Sequence, residues 1–338
     1  MRPLESSWPV AFYSSKVRVP LSKHLAAVTL CAAELFSHEL PLLKERLSSL
    51  FEEGREGEKQ EERLPHSIGR TLLLAAALHD LAKASPRYYY AFLKKGSGKI
   101  SFMYHELASA YIVYRSAVHE SREMRRIFWT AAKVIARHHA AMEGRHPQDI
   151  GKVRGGESLS DVRERVSSIL QGLWQPEAQK VVDKVIEEVR SKLEESSSRF
   201  TGYVANEMRA ARDMLDHVRD QIPRIPRIVK SFRKSKGSDL FDILRRDVEQ
   251  VINILAKVYD EDNKKNYYPI IAPLSGALII ADNLVADYER RTSDDKASPI
   301  YMRHWQKELM RRGRDISSLS CLQYVESYVS KSNAPALP

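Results

Sequence analysis

The chain has 338 residues and is 43% hydrophobic, enough to bury a sizeable core as one large domain or a domain with a big insertion; its 14 Gly and 15 Pro exclude low-complexity sequence. A surplus of 54 Lys and Arg over 44 Asp and Glu gives a formal charge of +10, which favours polyanionic partners through long-range attraction and counterion release. The opening MRPLESSWPVAFYSS lacks a signal-peptide core, no apolar run approaches the roughly 20 residues of a membrane span, and Cys31 and Cys321 show no paired metal or redox spacing. A soluble, cytoplasmic protein is expected, with its cysteines as small core residues of a reducing compartment.

Apolar residues recur at intervals of three and four nearly throughout, with hardly any strand alternation, which predicts an all-α fold. Helices are expected at 21–37, 68–84, 102–118 and 122–140, then at 159–173, 176–197, 200–221 and 239–259, and finally at 272–291, 299–312 and 317–331. EEGREGEKQEER (52–63) reads as an exposed charged loop or a solvated extension of the helix before it, and the tail KSNAPALP as loosely held. KKGSGKI (94–100) is not a phosphate loop, because Leu93 stands at the first Gly position and Ile100 replaces the required Ser or Thr.

Metal chemistry needs imidazoles and carboxylates converging from different helices. Five of the 11 histidines sit inside apolar helical runs: His24 in LSKHLAAVTL, His79 in LLAAALHDLAK, His105 in SFMYHELASAYIV, and His138 with His139 in AAKVIARHHAAM. A buried histidine alone is usually a hydrogen-bonded core residue; five in one helical chain, two of them consecutive, point to ligands. Asp80 follows His79 directly, and Asp282 ends the apolar stretch LIIAD. An unpaired carboxylate in such a place is costly, and a divalent cation compensates it.

The ordered set of His24, His79-Asp80 with Lys83 one turn later, His105, His138-His139 and Asp282 resembles the HD metal-dependent phosphohydrolase superfamily. More narrowly, HDLAK, HELASA and ARHHA resemble the HD nuclease of type I CRISPR systems, over about residues 15–145 and 270–290. The resemblance implies an HD-domain helical bundle carried by residues 1–150 and 271–338, with a charged helical insertion at 151–270. It implies that His24, His79, Asp80 and Asp282 hold one ion, and Asp80, His105, His138 and His139 the other. Asp80 suits a bridge because a carboxylate has two oxygens, and an imidazole-rich set suits iron, manganese, nickel or cobalt, with magnesium a further candidate. Lys83 would contact the scissile phosphate or be a solvated lysine, and Glu106 would support His105 or be a surface acid. The long connection before Asp282 leaves Asp213, Asp216 and Asp287 as competing acids.

The insertion is nearly balanced in charge except for QIPRIPRIVKSFRKSKGS (221–238). There Pro223 and Pro226 are expected to break the helix and favour extended backbone. Arg224, Arg227, Lys230, Arg233, Lys234 and Lys236 would then form an adaptable strip that meets a nucleic-acid backbone or an acidic partner, or a solvated linker. The implied function is metal-dependent cleavage of single-stranded DNA in CRISPR interference, as a stand-alone subunit acting with a separate helicase and an RNA-guided surveillance complex. The alternative is an HD phosphohydrolase of small nucleotides, a dNTP triphosphohydrolase or a cyclic-nucleotide phosphodiesterase. A third reading is a structural subunit with a degenerate site.

Overall fold

The three-and-four spacing closes into helices around one hydrophobic core, so the all-α expectation holds. The computed structural model describes residues 9–13, 18–52, 68–95, 100–139, 159–231, 240–257, 259–260, 265–266, 268–290, 307, 310–311 and 318–329. A short antiparallel hairpin of β1 (Val10–Tyr13) and β2 (Arg18–Pro20) leads into α1 (Leu21–Leu35). Pro20 stands at the helix start, where a missing N–H removes no helical bond. Next come α2 (Glu39–Glu52), α3 (Ile68–Leu78), α4 (Pro86–Lys95), α5 (His105–Ser116) and α6 (Arg122–Arg137). They are followed by α7 (Leu159–Leu173), α8 (Pro176–Ser197), α9 (Gly202–Gln221), α10 (Ile225–Ser231) and α11 (Leu240–Ala256). A strand pair, β3 (Tyr259–Asp260) and β4 (Lys265–Asn266), precedes α12 (Tyr268–Arg290) and α13 (Ser320–Val329). These strands are too short for alternation to reveal them.

Every described residue of α3 except Arg70 is buried, and α1 is nearly as enclosed, the mark of helices surrounded on all sides. Around α1 pack α3, α8, α12 and α13; around α3 pack α6 and α9. The helices of the 151–270 segment therefore share the core of the flanking ones. The start of α3 is closed by α9: Gly69 N donates to Tyr203 Oη at 3.1 Å and Arg70 N to Glu207 Oε2 at 2.8 Å, pairing amide groups that a helix start leaves without intrahelical partners. Only glycine suits position 69, because an added Cβ would lie 2.8 Å from Glu207 Cγ.

Four expectations need correction. The helix expected over 68–84 ends at Leu78; a turn holds His79 and Asp80, and a 3-10 turn spans Leu81–Ala84. Pro86 disfavours helical backbone at Ser85, and the amide of Ala82 is taken by Ser109 Oγ at 3.0 Å. Pro223 and Pro226 do not impose extended backbone, for Ile222–Arg224 is a 3-10 turn that runs on into α10. Each proline is the second residue of its element, within the first turn, where no N–H is required. Cys31 and Cys321 are not separate core residues: packing of α1 on α13 joins them in a disulfide across 290 residues, Cα atoms 5.2 Å apart, which removes the argument for a reducing compartment. Finally, α12 is long and apolar enough to cross a membrane, the one helix among the described residues that is. It packs on α1, α3, α6 and α13 and buries Glu289, as a core helix does. Of the helix expected at 299–312 only 307 and 310–311 are described, and 53–63 and the tail 331–338 lie outside the described residues.

Candidate metal centre

Five segments converge on one buried cluster. His24 comes from α1, His79 and Asp80 from the turn after α3, and His105 is the first residue of α5. His138 and His139 directly follow α6, and Asp282 comes from the middle of α12. His24, His79, Asp80, His105 and His138 are all buried, and Asp282 keeps 15% side-chain exposure. Adjacent residues of an unbroken helix diverge by about 100°, but the turn after Leu78 lets His79 Nε2 and Asp80 Oδ2 face each other at 3.5 Å.

The two oxygens of Asp80 look in different directions. Oδ2 lies 3.5 Å from His24 Nε2 as well as from His79 Nε2, while Oδ1 lies 2.8 Å from His105 Nε2 and 3.8 Å from His138 Nε2. Asp282 Oδ1 closes the first set, 3.2 Å from His24 Nε2 and 3.7 Å from His79 Nε2. His139 Nε2 joins the second, 3.1 Å from His105 Nε2. The donor atoms of His24, His79 and Asp282 all lie within 4.8 Å of one another, as do those of Asp80, His105, His138 and His139.

Four of the five imidazoles are aimed by their other nitrogen. His79 Nδ1 donates to Ala76 O at 2.8 Å, His138 Nδ1 to Ile135 O at 2.6 Å, and His105 Nδ1 to Phe102 O. A carbonyl oxygen can only accept, so Nδ1 carries the proton and Nε2 keeps its lone pair for the centre. His24 Nδ1 instead meets the buried carboxylate of Glu289, at 3.0 Å from Oε2, and Tyr328 Oη donates to Glu289 Oε1 at 2.6 Å. His105 is set by a strained approach: Tyr104, just before it, has φ 63°, a left-handed conformation that costs a bulky residue on the order of 1–3 kcal/mol.

The electrostatics follow from burial and neighbours. Burial opposes charge on His24, but the Glu289 and Asp282 carboxylates prevail and raise its pKa to about 10. Burial, reinforced by His79, pushes His138 down to about 3, and burial with His138 and His105 also lowers His139. Burial resists the ionisation of both acids. Lys83, His79 and His105 nonetheless hold Asp80 well below the usual carboxylate range, and His24 and His79 do the same for Asp282.

Lys83 is no solvated lysine: its Nζ is 2.5 Å from Asp80 Oδ2 and 3.3 Å from Ala11 O, over the Phe102 ring. Glu106 is no surface acid either; it is buried, with Oε2 3.3 Å from His105 Nδ1. Asp213 and Asp216 lie on α9 in ion pairs with Arg212, Arg190 and Arg219, away from the cluster. Arg224, Arg227 and Lys230 are exposed on the 3-10 turn and α10, and Arg233, Lys234 and Lys236 lie outside the described residues. The sequence reading missed Glu289 and Tyr328. Glu289 had one signal, its place two turns after Asp282 on the same face of an apolar helix; Tyr328 had none.

The residues fit a divalent ion. His79 Nε2, Asp80 Oδ1 and His138 Nε2 are buried with no hydrogen-bond partner, a costly state that a cation relieves. Imidazole nitrogens with carboxylate oxygens are the donors of transition-metal sites.

The helical bundle gathers ordered histidines around an adjacent His-Asp pair, the arrangement that the resemblance to HD metal-dependent phosphohydrolases implied. Residues 13–215, more than half the chain, match the family described as "Cas3, HD domain", and the chain belongs to that family of CRISPR-associated HD nucleases. No curated protein and no solved structure matches it. Asp282, Glu289 and Tyr328 lie beyond the matched residues.

Proposed function

We propose that this chain is a two-metal phosphodiesterase that cleaves single-stranded DNA in CRISPR interference, in the cytoplasm, with a separate helicase subunit and an RNA-guided surveillance complex as partners. The observation that carries the two-metal reading is the division of Asp80, whose two oxygens face two different sets of histidines. His24, His79, Asp80 and Asp282 hold one ion; Asp80, His105, His138 and His139 hold the other. Two such ions, of iron, manganese, nickel or cobalt, would supply Lewis acidity to activate water and to neutralise charge on the entering and leaving oxygens of a phosphodiester. Asp80 would set the spacing of the two sites, and the Nδ1 anchors of His24, His79, His105 and His138 aim those imidazoles in advance. Lys83, already a cation beside Asp80, places its ammonium where a scissile phosphate gains negative charge.

The segment 151–270 serves as a helical insertion of the HD domain. Its exposed Arg224, Arg227 and Lys230 present cations to a phosphate backbone or an acidic partner, and Arg233, Lys234 and Lys236, which follow them in the sequence, are assigned to the same contact. The deciding experiment incubates the purified protein with manganese and compares single-stranded DNA, dNTPs and cyclic dinucleotides. Cleavage of the strand with the small nucleotides intact supports the reading; hydrolysis of dNTPs or cyclic dinucleotides alone replaces it with the small-nucleotide enzyme.

A further inference from the structure

Five large apolar side chains are exposed among the described residues, and three of them, Trp129, Ile254 and Tyr268, belong to α6, α11 and α12; α6 packs on both of the others, and α6 and α12 lead to residues of the candidate metal centre. Lys133 Nζ ties α6 to the end of α11 by donating to Lys257 O at 2.6 Å. The α6 sequence REMRRIFWTAAKVIAR buries Ile127, Phe128, Ala131, Val134 and Ile135, which turns Arg122, Arg126, Trp129 and Lys133 onto one outward stripe, with Arg125 at its edge. Glu123 is the single acid in that helix. Trp129 is 38% exposed and its indole is stacked on Tyr114, ring centroids 5.4 Å apart and planes 15° apart, so the ring is braced from one side. At the far end of the helix, Tyr268 is 53% exposed near Arg137, the residue before His138 and His139. Trp129 stands nine residues before His138, about 14 Å along the helix axis.

Cations at helical spacing beside exposed rings, one of them braced by a stacked neighbour, match a nucleic-acid strand whose bases are unstacked: phosphates meet the guanidinium groups and bases lie on the rings. We propose that the outer face of α6, continued by Tyr268, is the track along which a single-stranded nucleic acid runs into the metal centre. Arg122, Arg125 and Arg126 hold the backbone, Trp129 and Tyr268 stack bases, and the strand turns around the end of α6, because His138 lies on the face opposite Trp129, to bring the next phosphodiester to the metal centre. The inference rests on the nuclease reading, and it assigns the substrate strand to a surface distinct from the Arg224–Lys230 strip.

The test measures binding of a fluorescent oligothymidylate to the full chain in EDTA, which prevents cleavage, across a series of salt concentrations. Trp129→Ala is expected to weaken binding about tenfold, and Trp129→Phe to restore most of it. Joint neutralisation, Arg122→Gln with Arg125→Gln and Arg126→Gln, is expected to make the log-log salt slope shallower by about 0.7 for each phosphate that the protein no longer neutralises. Hydrolysis of bis(p-nitrophenyl) phosphate with manganese, a small diester that needs no track, is expected to stay at the wild-type rate in these variants. If Trp129→Ala fails to fold by circular dichroism, the arginine variant alone decides. Unchanged affinity and slope overturn the track, and so does a loss seen only when Arg224, Arg227 and Lys230 are neutralised. Absence of diester hydrolysis by the wild type with every candidate metal sinks the nuclease reading instead, independently of strand binding.

Discussion

His79, His105 and His138 each lean on a backbone carbonyl three residues upstream, at Ala76, Phe102 and Ile135, whereas His24 leans on the carboxylate of Glu289, 265 residues away. The first arrangement is local: once a helical turn forms, its own carbonyl aims the ring. The second exists only after α1, α12 and α13 have packed, with Glu289 held in turn by Tyr328. The two halves of the centre are therefore open to different perturbations. One fails when its turns melt, the other when distant helices shift.

Asp80→Ala is the variant that breaks both halves at once. It is expected to abolish nuclease activity and to lower metal content at both groups, with helical circular dichroism nearly unchanged; full activity would sink the two-metal assignment. The next largest effects separate the halves. Asp282→Ala and His24→Ala are expected to cost one equivalent of metal, His138→Ala and His139→Ala the other, as read by metal analysis after dialysis. Loss of the same equivalent in both pairs would show that the groups are not distinct.

Glu289→Gln sharpens the comparison without touching a ligand. It is expected to weaken metal binding at the His24 group by about 10- to 100-fold, leaving the His105–His138–His139 group unchanged, as followed by calorimetric titration. Tyr328→Phe acts one bond further out, and a smaller loss of the same kind is expected. Equal weakening at both groups would mean that Glu289 acts on the whole fold.

Titration distinguishes the halves again. His24, raised to about 10, gives the metal-free fold stability that is full below the ordinary imidazole value near 6.5 and is lost as pH climbs through about 10. His138, lowered to about 3, works the other way: the fold loses stability as pH falls from near 6.5 towards 3. Metal must displace the proton of His24, so affinity at that group is expected to rise by up to tenfold per pH unit between about pH 7 and 9. Affinity at the His138 group should respond much less, and parallel profiles would refute the distinction.

The smallest expected effect on the metals comes from the disulfide that pins α13 to α1. Replacing Cys31 and Cys321 with alanine is expected to cost about 2–4 kcal/mol of stability in denaturant titrations. The metal loss, if the folded arrangement survives, should be confined to the His24 group.

Much of the fold was legible because its punctuation is local. Pro176 opens α8 in the first turn, where its missing N–H is not needed, and the apolar spacing carries that helix to Ser197 as expected. The candidate ligands were legible for a related reason: a histidine or aspartate in an apolar run stands out against its neighbours, and the structure brings His24, His79, Asp80, His105, His138, His139 and Asp282 together in one cluster. The end of α3 was not legible, since LHDLAKA holds good helix formers and the break depends on Ser109 taking the Ala82 amide. Nor was the bond between Cys31 and Cys321, because 290 residues of separation carry no sign of their meeting. The sequence by itself therefore determined which side chains are too polar for their surroundings, a property of each residue and its near neighbours. Tertiary structure alone decided that Asp80 faces two sets of imidazoles and that Glu289 and Tyr328 stand behind His24, because those relations arise only when helices far apart in the chain pack against one another.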